Sequence, residues 1–202
     1  MTKIKLCGLS RAQDIRTANQ LRPEFVGFVF APASRRYVSP HQAGTLKSLL
    51  SPEIQAVGVF VDEAAETVAG LLNSGVIDLA QLHGSEDETY IRRLRARTGK
   101  PIIQAFRITS PQDVVRAQRS VADHILLDSG AGTGTVFAWE LTRPIRRPYF
   151  LAGGLGPDNV EMAVERLNPY AVDVSSGIET DGVKDRSKMA AFVAAVRKED
   201  RT

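Results

Sequence analysis

FVGFVF, residues 25–30, is apolar at every position apart from one glycine and carries only aromatic and β-branched side chains besides it. A strand with one face in water alternates apolar and polar residues, whereas a parallel strand covered on both faces reads as a continuous apolar run. The stretch therefore points to a parallel sheet buried on both sides. Successive parallel strands need a crossover between them, usually a helix.

Working outward, similar runs recur at residues 3–7, 56–61, 79–83, 102–107, 124–128, 149–152 and 171–175, which makes eight strands. Between them lie segments of helical period. Residues 86–97 set Tyr90, Ile91 and Leu94 on one face, and residues 158–167 do the same for Val160, Met162, Ala163 and Leu167. Helix starts are signalled by Ser10, by Ser39-Pro40, by Ser85 with Glu88 three residues on, by Ser110-Pro111 and by Pro157. Eight strand–helix alternations predict an α/β fold: a single (β/α)8 TIM barrel domain over residues 1–202, with eight parallel strands, at the short end of the usual size. A doubly wound open sheet is the alternative, and it requires two of the eight strands to be miscounted.

The composition is that of an ordinary globular protein, 43% hydrophobic and 24% charged. Lys and Arg number 26 against 23 Asp and Glu, and the net charge of +3 is too small to imply a nucleic-acid partner. No apolar run approaches the roughly 20 residues that span a bilayer, and Met-Thr-Lys-Ile-Lys lacks the apolar region of a signal peptide. The expectation is a cytoplasmic protein with no nucleic-acid or membrane partner. A single cysteine excludes an intrachain disulfide, and His41, His83 and His124 share no metal-ligand spacing, so no metal is expected.

Active sites of this barrel lie where strands end and βα loops begin. There stand Cys7, Arg36, His83, Asp128, Gly153-Gly154 and Ser176-Gly177, with Asp173 two residues before Ser175 on the interior-facing side. The glycine-rich loops after the last two strands suit a phosphate, because glycine lets backbone N–H groups approach an anion closely; the plainer reading is that they permit tight turns. Asp128 reads as a proton donor or a cap, Cys7 as a buried filler or a base, and Arg36 as an anion clamp or a surface residue. Gln81 and His83 alternate onto one side of their strand, toward the interior. Gly130-Ala-Gly-Thr-Gly-Thr135 is read as a flexible loop over the site, since it lacks the last glycine and the later acidic residue of a dinucleotide unit; no nucleotide-binding P-loop is present.

Taken in order, Lys5-Leu-Cys-Gly8, Gly27-Phe-Val-Phe30, Ser34-Arg-Arg-Tyr37, Gly58-Val-Phe-Val61, Gln81-Leu-His-Gly84, Leu126-Leu-Asp-Ser129, Gly132-Thr-Gly134 with Phe137-Ala-Trp139, Ala152-Gly-Gly-Leu155 and Asp173-Val-Ser-Ser-Gly-Ile-Glu179 resemble the phosphoribosylanthranilate isomerases of tryptophan biosynthesis. The resemblance implies a (β/α)8 barrel and a cofactor-free Amadori rearrangement of N-(5′-phosphoribosyl)anthranilate to 1-(2-carboxyphenylamino)-1-deoxyribulose 5-phosphate by general acid–base catalysis. It also implies Cys7 as base, Asp128 as acid and Arg36 at the anthranilate carboxylate. The 5′-phosphate would rest on Gly153, Gly154, Ser176 and Gly177, with His83 and Asp173 as further substrate-binding residues. The expected partner is this small phosphorylated substrate, the expected state a monomer or homodimer. The chain departs from the family's pattern at Ala138, where an aspartate is usual, and in a short 129–136 loop.

Two other readings remain. A histidine-pathway ribonucleotide isomerase performs the same rearrangement with a pair of aspartates, but this chain has Cys7 at the end of strand 1. A catalytically silent phosphosugar-binding barrel would keep the glycine loops without needing both an acid and a base.

Overall fold

The computed structural model describes residues 1–128, 139, 141–142 and 144–199; the readings made for the 129–136 loop and for Ala138 lie outside these residues. Eight strands alternate with helices in the order β1 Lys3–Cys7, α1 Ala12–Leu21, β2 Phe25–Val29, α2 Pro40–Ser48, β3 Gln55–Phe60, α3 Ala65–Asn73, β4 Leu79–Leu82, α4 Glu88–Arg95, β5 Ile102–Arg107, α5 Pro111–Arg119, β6 His124–Asp128, β7 Tyr149–Ala152, α6 Val160–Leu167 and β8 Ala171–Val174. A two-stranded hairpin, β9 Glu179–Thr180 and β10 Val183–Lys184, precedes α7 Arg186–Glu199. Strands β1 to β8 pair in parallel and close into a barrel, β1 bonding to both β2 and β8. The closed barrel rules out the open sheet. Among the described residues, no helix is long and apolar enough to cross a membrane.

Closure divides the apolar side chains into two cores. Outward-facing residues such as Ile4, Leu6, Val26 and Phe28 pack under the helices, and this explains why FVGFVF is apolar on both faces. Inward-facing Phe25, Val57, Leu79, Ile103, Leu126, Phe150 and Ala171 fill the barrel's floor, with the Phe25 and Phe150 rings tilted at 5.4 Å. Burying one such side chain is worth about 1.5–3 kcal/mol, so the floor is a packed plug rather than a channel. Above it, Cys7, Val29 and Val59 form a thinner layer that opens toward the strand ends.

The helix starts follow the sequence at two places and depart from it at three. Ser39 accepts a hydrogen bond from Gln42 N ahead of Pro40, and Ser110 forms a capping box with Asp113, as expected. α4 is capped by Asp87, which accepts from Tyr90 N at 2.9 Å, while the Ser85 hydroxyl donates to Asp62 instead. At α1 it is the Asp14 carboxylate that accepts from the Ser10 and Arg11 amides. α6 begins only at Val160, past Pro157, and Met162 is exposed. It sits about 200° around the helix from Val160, so the buried face runs through Val160, Ala163 and Val164.

Candidate active site

Successive residues of a strand point to opposite faces, so Lys5 and Cys7 both enter the barrel from β1. Cys7 pairs in register with Gly27 of β2. A Cβ added at Gly27 would lie 2.6 Å from the Cys7 sulfur, so only glycine leaves the thiol its place. Below it, the fully buried Lys5 ammonium donates to Asp173 Oδ2 of β8 at 2.9 Å. Removing one partner of a buried ion pair strands the other charge, a loss of about 3–5 kcal/mol. Burial pulls the Lys5 ammonium down, but the Asp173 carboxylate and the Cys7 thiol outweigh it and hold Lys5 above its usual range. Burial also pushes the Cys7 thiol above its usual value, against the opposing pull of Lys5.

The strand ends surround a cavity of about 360 Å³. Of the nine candidate residues, Cys7, Arg36, His83, Asp128, Gly153, Gly154, Asp173 and Ser176 line it; Gly177 does not. Asp128 ends β6, three strands around the barrel from Cys7. With Gln81 Nε2 donating to His83 Nδ1 at 2.9 Å, the other ring nitrogen faces Asp128 Oδ2 at 3.6 Å, and a neutral ring then carries its proton on Nε2. Among the described residues, Asp173 Oδ1 and Gln81 Oε1 are buried acceptors without a hydrogen-bond partner. Both residues line the cavity, where a bound hydroxyl can supply the missing donor.

Gly177 contributes through the backbone. A Cβ there would lie 2.0 Å from Leu155 O, so the loops after β7 and β8 pack against one another only because this residue has none. Asn159 pins the first of these loops, accepting from Gly156 N at 2.8 Å and donating to Gly154 O at 2.9 Å. Gly153 and Gly154 take positive φ angles of 95° and 64° in the same turn. Ser175 joins the turn after β8 to β1, its hydroxyl donating to Cys7 O at 3.2 Å.

Arg36 is held by a carboxylate that sequence reasoning did not single out. Its Nε and Nη2 donate to Glu179 Oε1 and Oε2 at 2.6 and 2.8 Å, a bidentate pair that fixes the guanidinium plane. Lys184 donates to the same carboxylate at 2.6 Å and to Ser175 O at 2.8 Å. Burial pushes the Glu179 carboxyl up, but the bonds from Arg36 and Lys184 prevail and keep it below its usual range. The β9–β10 hairpin thus carries both residues that steady Arg36 at the cavity. Glu179 stands 143 residues from Arg36, and the signal available in the sequence was its place at the end of the Asp173–Glu179 stretch.

A family model described as N-(5′phosphoribosyl)anthranilate (PRA) isomerase matches residues 4–195. The N-(5′-phosphoribosyl)anthranilate isomerase of Endomicrobium trichonymphae is 44% identical over 98% of this chain and 99% of its own. The chain belongs to the phosphoribosylanthranilate isomerase family. Its activity is that of the family, the isomerisation of N-(5′-phosphoribosyl)anthranilate in tryptophan biosynthesis. The phosphoribosylanthranilate isomerase of Thermotoga maritima superposes with a TM-score of 0.91 at 34% identity, covering 98% of this chain and all of that one. Another structure of the Thermotoga maritima protein describes monomers generated from its dimeric form. A phosphoribosylanthranilate isomerase in complex with reduced 1-(o-carboxyphenylamino)-1-deoxyribulose 5-phosphate superposes with a TM-score of 0.87 at 33% identity, over 98% of this chain and all of that one.

Proposed function

We propose that this isomerase works by general acid–base catalysis, with Asp128 as the acid and Cys7 as the base. The observation that carries the reading is that both residues and Arg36 line one cavity at the C-terminal ends of the strands. Asp128 gives its proton to the furanose ring oxygen as the C1–O bond breaks, and the anthranilate nitrogen lone pair forms a C1=N bond. The Cys7 thiolate then takes the C2 proton. The C2–H electrons form a C1–C2 enolamine double bond, and those of C1=N return to nitrogen. Tautomerisation gives the 2-keto product. His83, 3.6 Å from Asp128, orients the acid, and the unpartnered Asp173 Oδ1 accepts from a sugar hydroxyl. The phosphate sits on Gly153, Gly154 and Ser176, with Gly177 holding the two loops together. Arg36 takes the anthranilate carboxylate with the donors that Glu179 leaves it.

The direct test is turnover of N-(5′-phosphoribosyl)anthranilate by the purified protein with no metal or nucleotide added. Its pH dependence carries a sign. Because the Cys7 thiol lies above its usual value, the thiolate is the minor form near neutrality, and since Asp128 must hold its proton at the same time, kcat/KM breaks in slope at the thiol's pKa in the alkaline range. A profile with no break in that range removes Cys7 from the base role. Glu179→Gln keeps the shape of the hairpin but weakens the bidentate hold on Arg36. KM is expected to rise about tenfold, roughly 1.4 kcal/mol of binding, with a smaller change in kcat; steady-state kinetics at saturating and limiting substrate separate the two. We further read residues 1–202 as one barrel domain, working in the cytoplasm where soluble phosphorylated intermediates are made, as a monomer or homodimer. The dimeric Thermotoga maritima relative supports the second of these states.

A further inference from the structure

We propose that Lys5 is a positioning residue for the reaction: its buried ammonium, clamped by Asp173 one pleat below Cys7, supplies the counter-charge that sustains the Cys7 thiolate. The proposal rests on Cys7 being the base. Lys5 is 0% exposed and Asp173 8%, so both members of the ion pair are buried. Buried pairs gain little stability over apolar side chains of the same volume, because desolvation consumes most of the attraction. Stability alone is therefore a weak reason for a charge in the middle of an apolar barrel.

Position supplies a better one. Lys5 and Cys7 share a strand face roughly 7 Å apart along β1, and the flexible lysine stem spans that gap. An ammonium has three donors. Asp173 Oδ2 takes one, and the Cys7 thiol interacts with the same group. The other charged and titratable groups facing Cys7 are Lys184 from β10, Arg36 from the loop after β2, and His83 and Asp128 across the cavity. Lys184 and Arg36 are both bonded to Glu179, which leaves them less able to answer a new negative charge. Of these cations Lys5 pulls the thiol down most, and it does so from the same strand face while bonded to Asp173.

Cys7 is the one cysteine of the chain. Thiolate ultraviolet absorbance, read at each pH against Cys7→Ser, therefore titrates this group alone. Lys5→Met is expected to raise the thiol pKa by about one unit or more, so that kcat/KM near neutrality falls about tenfold and its alkaline break moves up with the thiol. Asp173→Asn removes the anion and keeps the ammonium, so the thiol pKa falls. Shifts of opposite sign in the two variants support the proposal. An unmoved thiol titration in Lys5→Met, or a rise in Asp173→Asn, overturns it, as does a loss of thermal stability with no thiol shift. Should Lys5→Met fail to fold, Lys5→Gln is read in its place, with the same outcomes supporting or overturning the proposal. A shifted thiol titration in Lys5→Met with an unmoved kcat/KM profile instead sinks the assignment of Cys7 as base, the reading beneath.

Discussion

Cys7→Ser and Asp128→Asn are each expected to lower kcat by about 10²–10⁴-fold, the range spanned by a single positioned acid or base, while KM changes little. A serine hydroxyl at position 7 fills nearly the same space beside Gly27 but does not ionise where a thiol does. An amide at position 128 keeps the hydrogen-bonding shape that His83 faces and has no proton of carboxylic acidity to give. Neither residue belongs to the phosphate loops or to the Arg36–Glu179 pair, so binding survives in both variants. The check is steady-state kinetics on proteins whose circular dichroism and melting match the parent. Near-normal kcat in either folded variant removes that residue from the chemistry. The Cys7→Ser profile should also lose the alkaline break of kcat/KM, which ties the loss to the thiol rather than to general damage.

Gly27→Ala is expected to lower kcat about 10²-fold, the scale of an ångström-sized misplacement of a reacting group, and to destabilise the fold by about 1–3 kcal/mol through overpacking. The added methyl would lie 2.6 Å from the Cys7 sulfur and 3.0 Å from its Cα. The strands have no easy retreat, because Gly8 N and Leu9 N both donate to Gly27 O, at 2.9 and 3.1 Å. The sulfur must rotate out of line instead. Adding Cys7→Ala to Gly27→Ala removes the sulfur, the nearest atom, but leaves Cα and Cβ at 3.0 and 3.2 Å, so stability should recover in part while activity does not. Melting temperature and kcat across the set of parent, single and double variants separate the two effects. Unchanged kcat in Gly27→Ala would mean that the thiol's position is not critical.

The barrel was legible in the sequence because burial on both faces writes itself into each strand as a continuous apolar run, and FVGFVF is the clearest case. Strand ends agreed to within a residue where the run had a sharp border, as at His124–Asp128. Helix starts were less legible: Ser85 and Asp87 are both acceptable caps, and only the packing of Asp62 against Ser85 decides between them. Met162 is apolar yet exposed, because its angular position takes it off the face that Val160, Ala163 and Val164 bury. Within the site, local motifs pointed to strand ends but could not supply partners. Glu179 meets Arg36 through the hairpin, Lys5 meets Asp173 across the seam where β1 closes on β8, and Gly27 meets Cys7 through strand register. Each of these depends on closure, which no short stretch records. The hairpin itself left no periodic signal, since its strands are two residues each.

The solitary, buried thiol also bears on how this enzyme meets oxidative stress. Peroxide attacks thiolates, so burial that keeps Cys7 mostly protonated slows its conversion to sulfenic acid. Once formed, however, that acid has no second cysteine in the chain with which to close a protective disulfide. Repair then depends on a small external thiol entering through the same mouth the substrate uses. Occupied enzyme is thereby shielded from damage and closed to rescue alike, and the idle enzyme is where both happen.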